Sequence, residues 1–142
     1  MKFSGLSDGQ QKRIEAAIGN LHFGKLVGIE LESAEPGSAT MTLPIREELL
    51  QNNQVVHGGA IASLIDSAAA FAVIPLLKEG ETATTVDLTI SYVRPLAKGM
   101  AKATARILRE GSRIVVMSVD VYDDAGNLAA TGLTTYLRLS KR

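Results

Sequence analysis

The feature that most constrains the fold is a run of twenty residues, Gly58 to Leu77, in which Asp66 is the one charged side chain. The run is long enough to span a membrane, but a centrally placed acid is costly in lipid. The rest of the chain also has the sequence pattern of a soluble β-sheet. We therefore predict a buried helix and no membrane partner. Its apolar side chains face several directions, so we expect one sheet to cover part of the helix and a second copy of the chain to cover the rest.

Composition narrows the possible partners. The 142 residues are 46% hydrophobic, which is enough for one domain, predicted over residues 1–142, with a core of its own. Fifteen basic residues balance fifteen acidic ones, so we expect no nucleic-acid partner. The absence of Cys and the presence of only two His residues argue against a metal site. The polar N-terminus has no signal-peptide core, and the expected location is cytoplasmic.

Turn and cap signals organise the first half of the chain. Ser7 and Gln10 have the spacing of a capping box, which predicts a short helix over 8–20. Two strands are predicted, Leu26–Ala34 and Ala39–Pro44, joined by a Pro-Gly turn into a hairpin. A polar connection then leads to the long helix, which we expect to end near Lys78–Gly80.

The second half alternates with the period of a strand. We predict that Val86, Leu88, Ile90 and Tyr92 share one face and that Thr85, Asp87, Thr89 and Ser91 share the other. Turn signals at 95–99, 110–113 and 123–127 then predict four successive antiparallel strands in a meander. The predicted fold class is α+β, with a six-stranded, largely antiparallel sheet around a long central helix and a short N-terminal helix.

Three segments in the same order carry a resemblance to a known family. They are Val56-His57-Gly58-Gly59-Ala60, the acid Asp66 eight residues beyond Gly58, and the strand Val86–Pro95. Together they resemble the PaaI-like (phenylacetic acid degradation-type) branch of the hotdog-fold thioesterases. The resemblance implies a hotdog fold and hydrolysis of an aryl- or medium-chain acyl-CoA. It also implies a homodimer or a dimer of dimers, with no metal and no bound cofactor.

The resemblance also implies roles for individual residues. Asp66 serves as nucleophile or general base, and the Gly58 N–H polarises the thioester carbonyl. Gln51, six residues before the His, contacts the reacting group, and Thr85 orients the water. His57 completes the expected catalytic set. The expected contacts with the substrate and its CoA portion are Gly59, Tyr92, Arg109, Glu110, Gly111, Ser112, Arg113 and Ile114.

Elementary chemistry supports two of these roles independently. The N–H groups of Gly58 and Gly59 lie at the unpaired, positive end of the predicted helix, where a developing oxyanion fits. Asp66 supplies the oxygen that attacks or takes a proton. Eight helical residues separate Gly58 from Asp66 by about 12 Å, which is too far for both to reach one carbonyl. If both act, they act on the same substrate from two different chains.

Purely structural roles for the same residues remain as alternatives. Asp66 could be a structural acid that hydrogen-bonds a neighbouring element, His57 a helix cap only, and Thr85 one more polar residue of a strand. The arginines of the last strands could serve solubility alone. Two other functions also remain. A hotdog dehydratase or hydratase would need an imidazole paired with the acid, for which His57 is poorly placed, and an acyl-CoA-binding sensor would need an output domain, for which the chain has no room.

Overall fold

A computed structural model describes residues 1–140 of the chain. Across these residues the strands are β1 (Lys2–Phe3), β2 (Glu30–Glu35), β3 (Ser38–Pro44), β4 (Glu81–Tyr92), β5 (Met100–Glu110), β6 (Ile114–Tyr122) and β7 (Leu128–Ser140). The helices are α1 (Asp8–Gly19), α2 (His22–Val27) and α3 (Gly58–Val73). Short 3-10 turns follow at Glu47–Leu49 and Ile74–Leu76.

All seven strands form one sheet in the order β1-β2-β3-β5-β6-β7-β4. The predicted number of six was wrong by one, because β1 is a two-residue strand, parallel to β2, too short to show alternation in the sequence. The predicted meander holds for β5, β6 and β7, but β4 pairs with β7 at the far edge and β5 pairs with β3. Residues 93–99 therefore form a crossing connection rather than a hairpin turn.

The crossing connection is held at several points. The carbonyl of Leu96 accepts a hydrogen bond from the Val56 N–H at 2.7 Å, and that of Gly99 accepts one from the Ile45 N–H at 2.8 Å. The Leu96 side chain is buried in the core. These contacts fix the connection against the loop that precedes α3, so the start of α3 lies beside the end of β4.

The sheet wraps around α3 and buries half of its residues. Ile61, Leu64, Ile65, Ala68 and Phe71 are all buried within the single chain. The facing positions of β5 are the fully buried residues Ala101, Ala103 and Ala105, whose small side chains let the helix approach the sheet closely. One sheet thus covers part of the helix, as the sequence predicted, and Ala62, Ser63, Ser67 and Ala70 stay only partly buried.

The first helix confirms its sequence signal, whereas the first predicted strand begins too early. Ser7 caps α1 with a capping box to Gln10, and the helix spans Asp8–Gly19. Residues 22–27 form α2, which takes in the first two residues of the predicted strand, Leu26 and Val27, and Gly28 ends that helix with a φ of 98°. Strand β2 therefore begins at Glu30 and not at Leu26. The helix is too short for its period to show in the sequence.

The long helix ends earlier than predicted. Pro75 cannot supply the N–H that would continue an α-helix, and the chain tightens into the 3-10 turn Ile74–Leu76. The whole segment Gly58–Leu76 is long and apolar enough to cross a membrane by composition, with a mean hydropathy of 1.8. In this fold the segment is the central helix that the sheet encloses, as the sequence predicted.

A β-bulge in β4 changes which side chains face the helix. Thr85 pairs with Tyr136 and Asp87 pairs with Thr135, so Val86 is an extra residue with no partner on β7. Leu88 and Ile90 face inward as predicted, but Val86 is 56% exposed and Thr85 turns toward α3. The predicted face was therefore wrong at Val86 because alternation read from sequence contains no bulge.

Candidate active site

The first turn of α3 leaves one backbone N–H available. His57 is the N-cap, and its Nδ1 accepts a hydrogen bond from the Gly59 N–H at 2.8 Å. The Ala60 N–H pairs with the His57 carbonyl. Within residues 1–140 no hydrogen bond uses the Gly58 N–H, which lies at the positive end of the helix.

His57 therefore has a definite structural contact. Accepting at Nδ1 fixes the imidazole in the form whose proton is on Nε2. The capping alternative is consistent with this geometry, and a part for His57 in catalysis stays a prediction. Gly59, whose N–H is already paired to His57, is left with its carbonyl, which accepts from the Ser63 hydroxyl at 2.8 Å.

The loop before α3 brings Gln51 to the same place. Leu50 and Val56 form an isolated antiparallel bridge, and the Gln51 N–H donates to the Val55 carbonyl at 2.8 Å. The loop closes on itself, with Gln54 in the left-handed region at a φ of 64°. Of the four polar residues 51–54, Gln51 is the one that lines the cleft beside α3.

That cleft has a volume of about 470 Å³ and joins three of the predicted site residues. Gln51, Gly58 and Tyr92 all line it, together with apolar side chains. The Tyr92 hydroxyl donates to the Gly58 carbonyl at 2.8 Å, which ties the end of β4 to the start of α3. The remaining lining residues are Val55, Val56, Ile61, Val93, Arg94, Pro95, Leu96 and Ala129.

Asp66 lies outside the cleft, halfway along α3, in a second polar cluster. The Thr85 hydroxyl donates to Asp66 Oδ1 at 2.8 Å, and the Tyr136 hydroxyl lies 2.7 Å from the same oxygen. The Tyr136 hydroxyl is also 2.8 Å from the Asp66 backbone carbonyl. Thr85 and Tyr136 are paired across β4 and β7, so the sheet register places both hydroxyls against one carboxylate.

The Tyr136 phenol is a donor in this cluster. Its side chain is only 4% exposed, and this burial raises the pKa of Tyr136 well above the usual value for a phenol, with the neighbouring Asp66 carboxylate adding to the rise. The phenol therefore keeps its proton at neutral pH and can donate to the carboxylate. Two neutral hydroxyl donors from the sheet thus stabilise a single carboxylate on an otherwise apolar face of the helix.

The two clusters are too far apart to act on one bond within one chain. Helix α3 is unbroken from Gly58 to Val73, and eight residues at ~1.5 Å each separate Gly58 from Asp66 by about 12 Å along the axis. The predicted catalytic set is therefore divided: Gln51, His57 and Gly58 lie at the start of α3, and Asp66 and its partner Thr85 lie at the middle of the helix.

The residues predicted to contact CoA lie in two separate places. Tyr92 belongs to the cleft, whereas Arg109–Ile114 forms the β5–β6 turn near the opposite end of the strands. That turn is next to the Asp66 cluster, because Val115 pairs with Tyr136 across β6 and β7. The side chains of Arg109 and Arg113 are exposed there.

Tyr136 is the functional candidate that sequence reasoning missed. It stands seventy residues beyond Asp66 in a strand whose inward positions include Thr134 and Tyr136. Alternation could have placed it on the inner face, but only the register of β7 against β4 brings it to Asp66. Among residues 1–140, no three His, Asp or Glu side chains come together in a way that could hold a metal ion.

A helix wrapped by one antiparallel-rich sheet, with a capped Gly-Gly start and a carboxylate held by the sheet, defines a hotdog-fold protein of the thioesterase class. Residues 53–130 match the family model described as the Thioesterase superfamily. The chain belongs to this superfamily, and its activity class is thioester hydrolysis.

Known proteins similar to this chain carry related names. The chain is 31% identical over 125 residues to acyl-coenzyme A thioesterase 13 of Homo sapiens, covering 86% of this chain and 89% of that protein. It is 27% identical over 138 residues to the medium/long-chain acyl-CoA thioesterase YigI of Salmonella typhimurium, covering 87% and 89%. Its fold matches that of E. coli PaaI, a protein from the phenylacetic acid degradation operon. The TM-score is 0.88 at 26% identity, covering 96% of this chain and 98% of that one.

Proposed function

We propose that this protein is an acyl-CoA thioesterase that hydrolyses aryl- or medium-chain acyl-CoA to the free acid and CoA. The observation that carries the proposal is the Asp66 carboxylate, held at one oxygen by Thr85 and Tyr136 on an otherwise apolar helix. The names of the human and Salmonella relatives support acyl-CoA as the substrate. The apolar lining of the cleft suits an acyl group.

The active site in this proposal is composite. Because Gly58 and Asp66 are about 12 Å apart on one straight helix, the Gly58 N–H of one chain works with the Asp66 of a second chain. Two α3 helices running antiparallel across a two-fold axis would meet this requirement twice, giving two sites per homodimer. Support comes from a half-buried stripe of small residues on α3, Ala62, Ser63, Ser67 and Ala70, which flanks Asp66.

Two chemical routes use this arrangement. In the first, Asp66 takes a proton from water while the water oxygen bonds to the thioester carbon and the carbonyl oxygen becomes an oxyanion at the Gly58 N–H. The oxyanion then reforms the carbonyl, the C–S bond breaks, and the departing CoA thiolate takes up the proton. In the second, Asp66 itself bonds to the carbon, CoA leaves as thiolate, and water hydrolyses the resulting anhydride.

The remaining site residues position the reacting groups and bind CoA in this proposal. Gln51, in the cleft with Gly58, positions the reacting group, and Thr85 holds Asp66. The exposed turn with Arg109 and Arg113 binds the phosphates of CoA, for which guanidinium groups are suited. This turn lies next to the Asp66 cluster, because Val115 pairs with Tyr136. The turn that binds CoA and the catalytic acid are therefore contributed by the same chain.

Release of free thiol from a panel of acyl-CoAs tests the proposal. The panel includes aromatic and aliphatic acyl groups of several lengths, assayed with the wild type, Asp66→Asn and Asp87→Asn. Asp87 is an exposed acid on β4 and serves as the matched control. We expect Asp66→Asn to lower kcat by about 1,000-fold, in the range found when a general base or nucleophile is removed, and Asp87→Asn to leave it unchanged. Binding of acyl-CoA without thiol release from any member of the panel would make the protein a binding module instead.

A further inference from the structure

The hydrogen bonds around Asp66 distinguish its two carboxylate oxygens. Thr85 and Tyr136 both reach Oδ1, from two different strands. Within residues 1–140, Oδ2 accepts no hydrogen bond, and no Lys, Arg or His forms an ion pair with Asp66. Asp66 is half-buried rather than enclosed, and Oδ2 is not among the buried unpartnered atoms. One oxygen is therefore fixed and the other is accessible.

We propose that Tyr136 is a positioning residue that, together with Thr85, holds Oδ1 of Asp66 and leaves Oδ2 as the oxygen that reacts. The inference rests on the proposed role of Asp66 in thioester hydrolysis and applies to both routes. Oδ2 either receives the proton of the attacking water or forms the bond to the acyl carbon. In each case Oδ1 keeps its two donors throughout the step.

The geometry of Tyr136 suits this task. Its ring is packed in the core, and its hydroxyl lies between Oδ1 and the Asp66 backbone carbonyl, so it fixes the side chain relative to the helix. A carboxylate oxygen that accepts two hydrogen bonds gives up electron density to them and is the poorer nucleophile and base of the pair. Loss of either donor frees the carboxylate to rotate and lets the two oxygens exchange places.

Removal of a donor has a measurable direction. The groups that hold Oδ1 from the packed strands are Thr85 on β4 and Tyr136 on β7. A carboxylate that loses one of them rotates more freely, so Oδ2 spends less time in the reactive position and kcat falls. Neither donor is proposed to contact the substrate, so KM should change little.

The test is Tyr136→Phe in the full chain, with Tyr122→Phe on β6 as the matched control and circular dichroism to verify folding. We expect Tyr136→Phe to lower kcat by about 10-fold, with KM within about twofold. Thr85→Val should lower kcat with the same small change in KM, and the double variant should lose less than the product of the two single effects, because both act on Oδ1.

The outcomes separate this proposal from the function on which it rests. If Asp66→Asn is inactive but folded Tyr136→Phe and Thr85→Val keep the wild-type kcat, Tyr136 is only a packing residue and the proposal is overturned. If Asp66→Asn is fully active, the proposed function itself fails. Should Tyr136→Phe not fold, Thr85→Val decides alone, since an unchanged kcat there contradicts the role given to Oδ1.

Discussion

Gly58 occupies the one position of a helix where a backbone N–H can be removed at little structural cost. It is the first residue of α3, where Pro is well tolerated, and His57 before it has the extended conformation, φ −60° and ψ 134°, that a following Pro requires. Any side chain here places a Cβ 3.3 Å from Cζ of Tyr92, so Ala and Pro make the same close contact. Ala keeps the N–H, whereas Pro removes it and adds the Cγ and Cδ atoms of its ring.

This difference isolates the oxyanion contact. We expect Gly58→Pro to lower kcat by about 100-fold or more relative to Gly58→Ala, the usual loss when one oxyanion donor is removed. The measurement is steady-state thiol release by both variants on the best substrate of the panel. Equal kcat values for the two would mean that the Gly58 N–H does not contact the reacting carbonyl.

At this scale the sequence indicated several residues that the structure brings together, and their catalytic roles stay predictions. Gly58 and Asp66 follow from the helix start and from the lone acid, and Gln51 lines the same cleft as Gly58. Thr85 was predicted either to orient the water or to be an ordinary strand residue, and in the structure it donates to Asp66. Tyr136 could not be predicted, because strand register is set by the whole hydrophobic pattern and the turns and not by any short motif.

At the scale of elements, an ion pair fastens the far end of α3 to the sheet. Arg138 on β7 is 7% exposed in its side chain and donates to Glu81 on β4 at 2.8 Å and to the Leu76 carbonyl at 3.1 Å. These contacts join the 3-10 turn that ends the central helix to the two strands that hold Asp66. The hydrogen bond from Arg138, with a second from the Lys78 N–H, holds the pKa of Glu81 below its ordinary value of 4.5.

A carboxyl group with a lowered pKa in the folded state stabilises the fold at neutral pH and loses that effect as the pH falls through and below 4.5. We therefore expect Glu81→Gln to lower the free energy of unfolding at pH 7 and to differ much less from the wild type near pH 3. Urea unfolding at both pH values measures this. Glu79→Gln, at an exposed neighbouring acid, is the control. A difference in unfolding free energy between wild type and Glu81→Gln that stays constant with pH would refute the role of the ion pair.

Elements with local signals were predicted well, and those set by distant pairing were not. The capping box of α1, the Pro-Gly turn at 35–38 and the turns at 110–113 and 123–127 all carry their signal within a few residues. The bulge at Val86 and the crossing from β4 to β5 depend on which strand lies alongside, so no window of sequence reveals them. The short helix α2 was missed because six residues are too few for a helical period to show.

At the scale of the molecule, a second chain is expected on two grounds. The sequence indicated that one sheet could not cover an apolar helix, and the sheet of a single chain buries half of the residues of α3. What requires a partner in our account is chemical: the cleft at Gly58 and the carboxylate at Asp66 each hold half of a site. The requirement follows from helix length alone and is independent of how much apolar surface remains.

The most direct test of the composite site is a heterodimer of one Asp66→Asn chain and one Gly58→Pro chain. Co-expression with two different affinity tags and purification on both in turn isolate this species. Each homodimer lacks one half of every site and should be inactive. The heterodimer combines an intact Gly58 and an intact Asp66 in one of its two sites, so we predict about half of the wild-type activity per dimer. A purified heterodimer as inactive as the two homodimers would contradict the account.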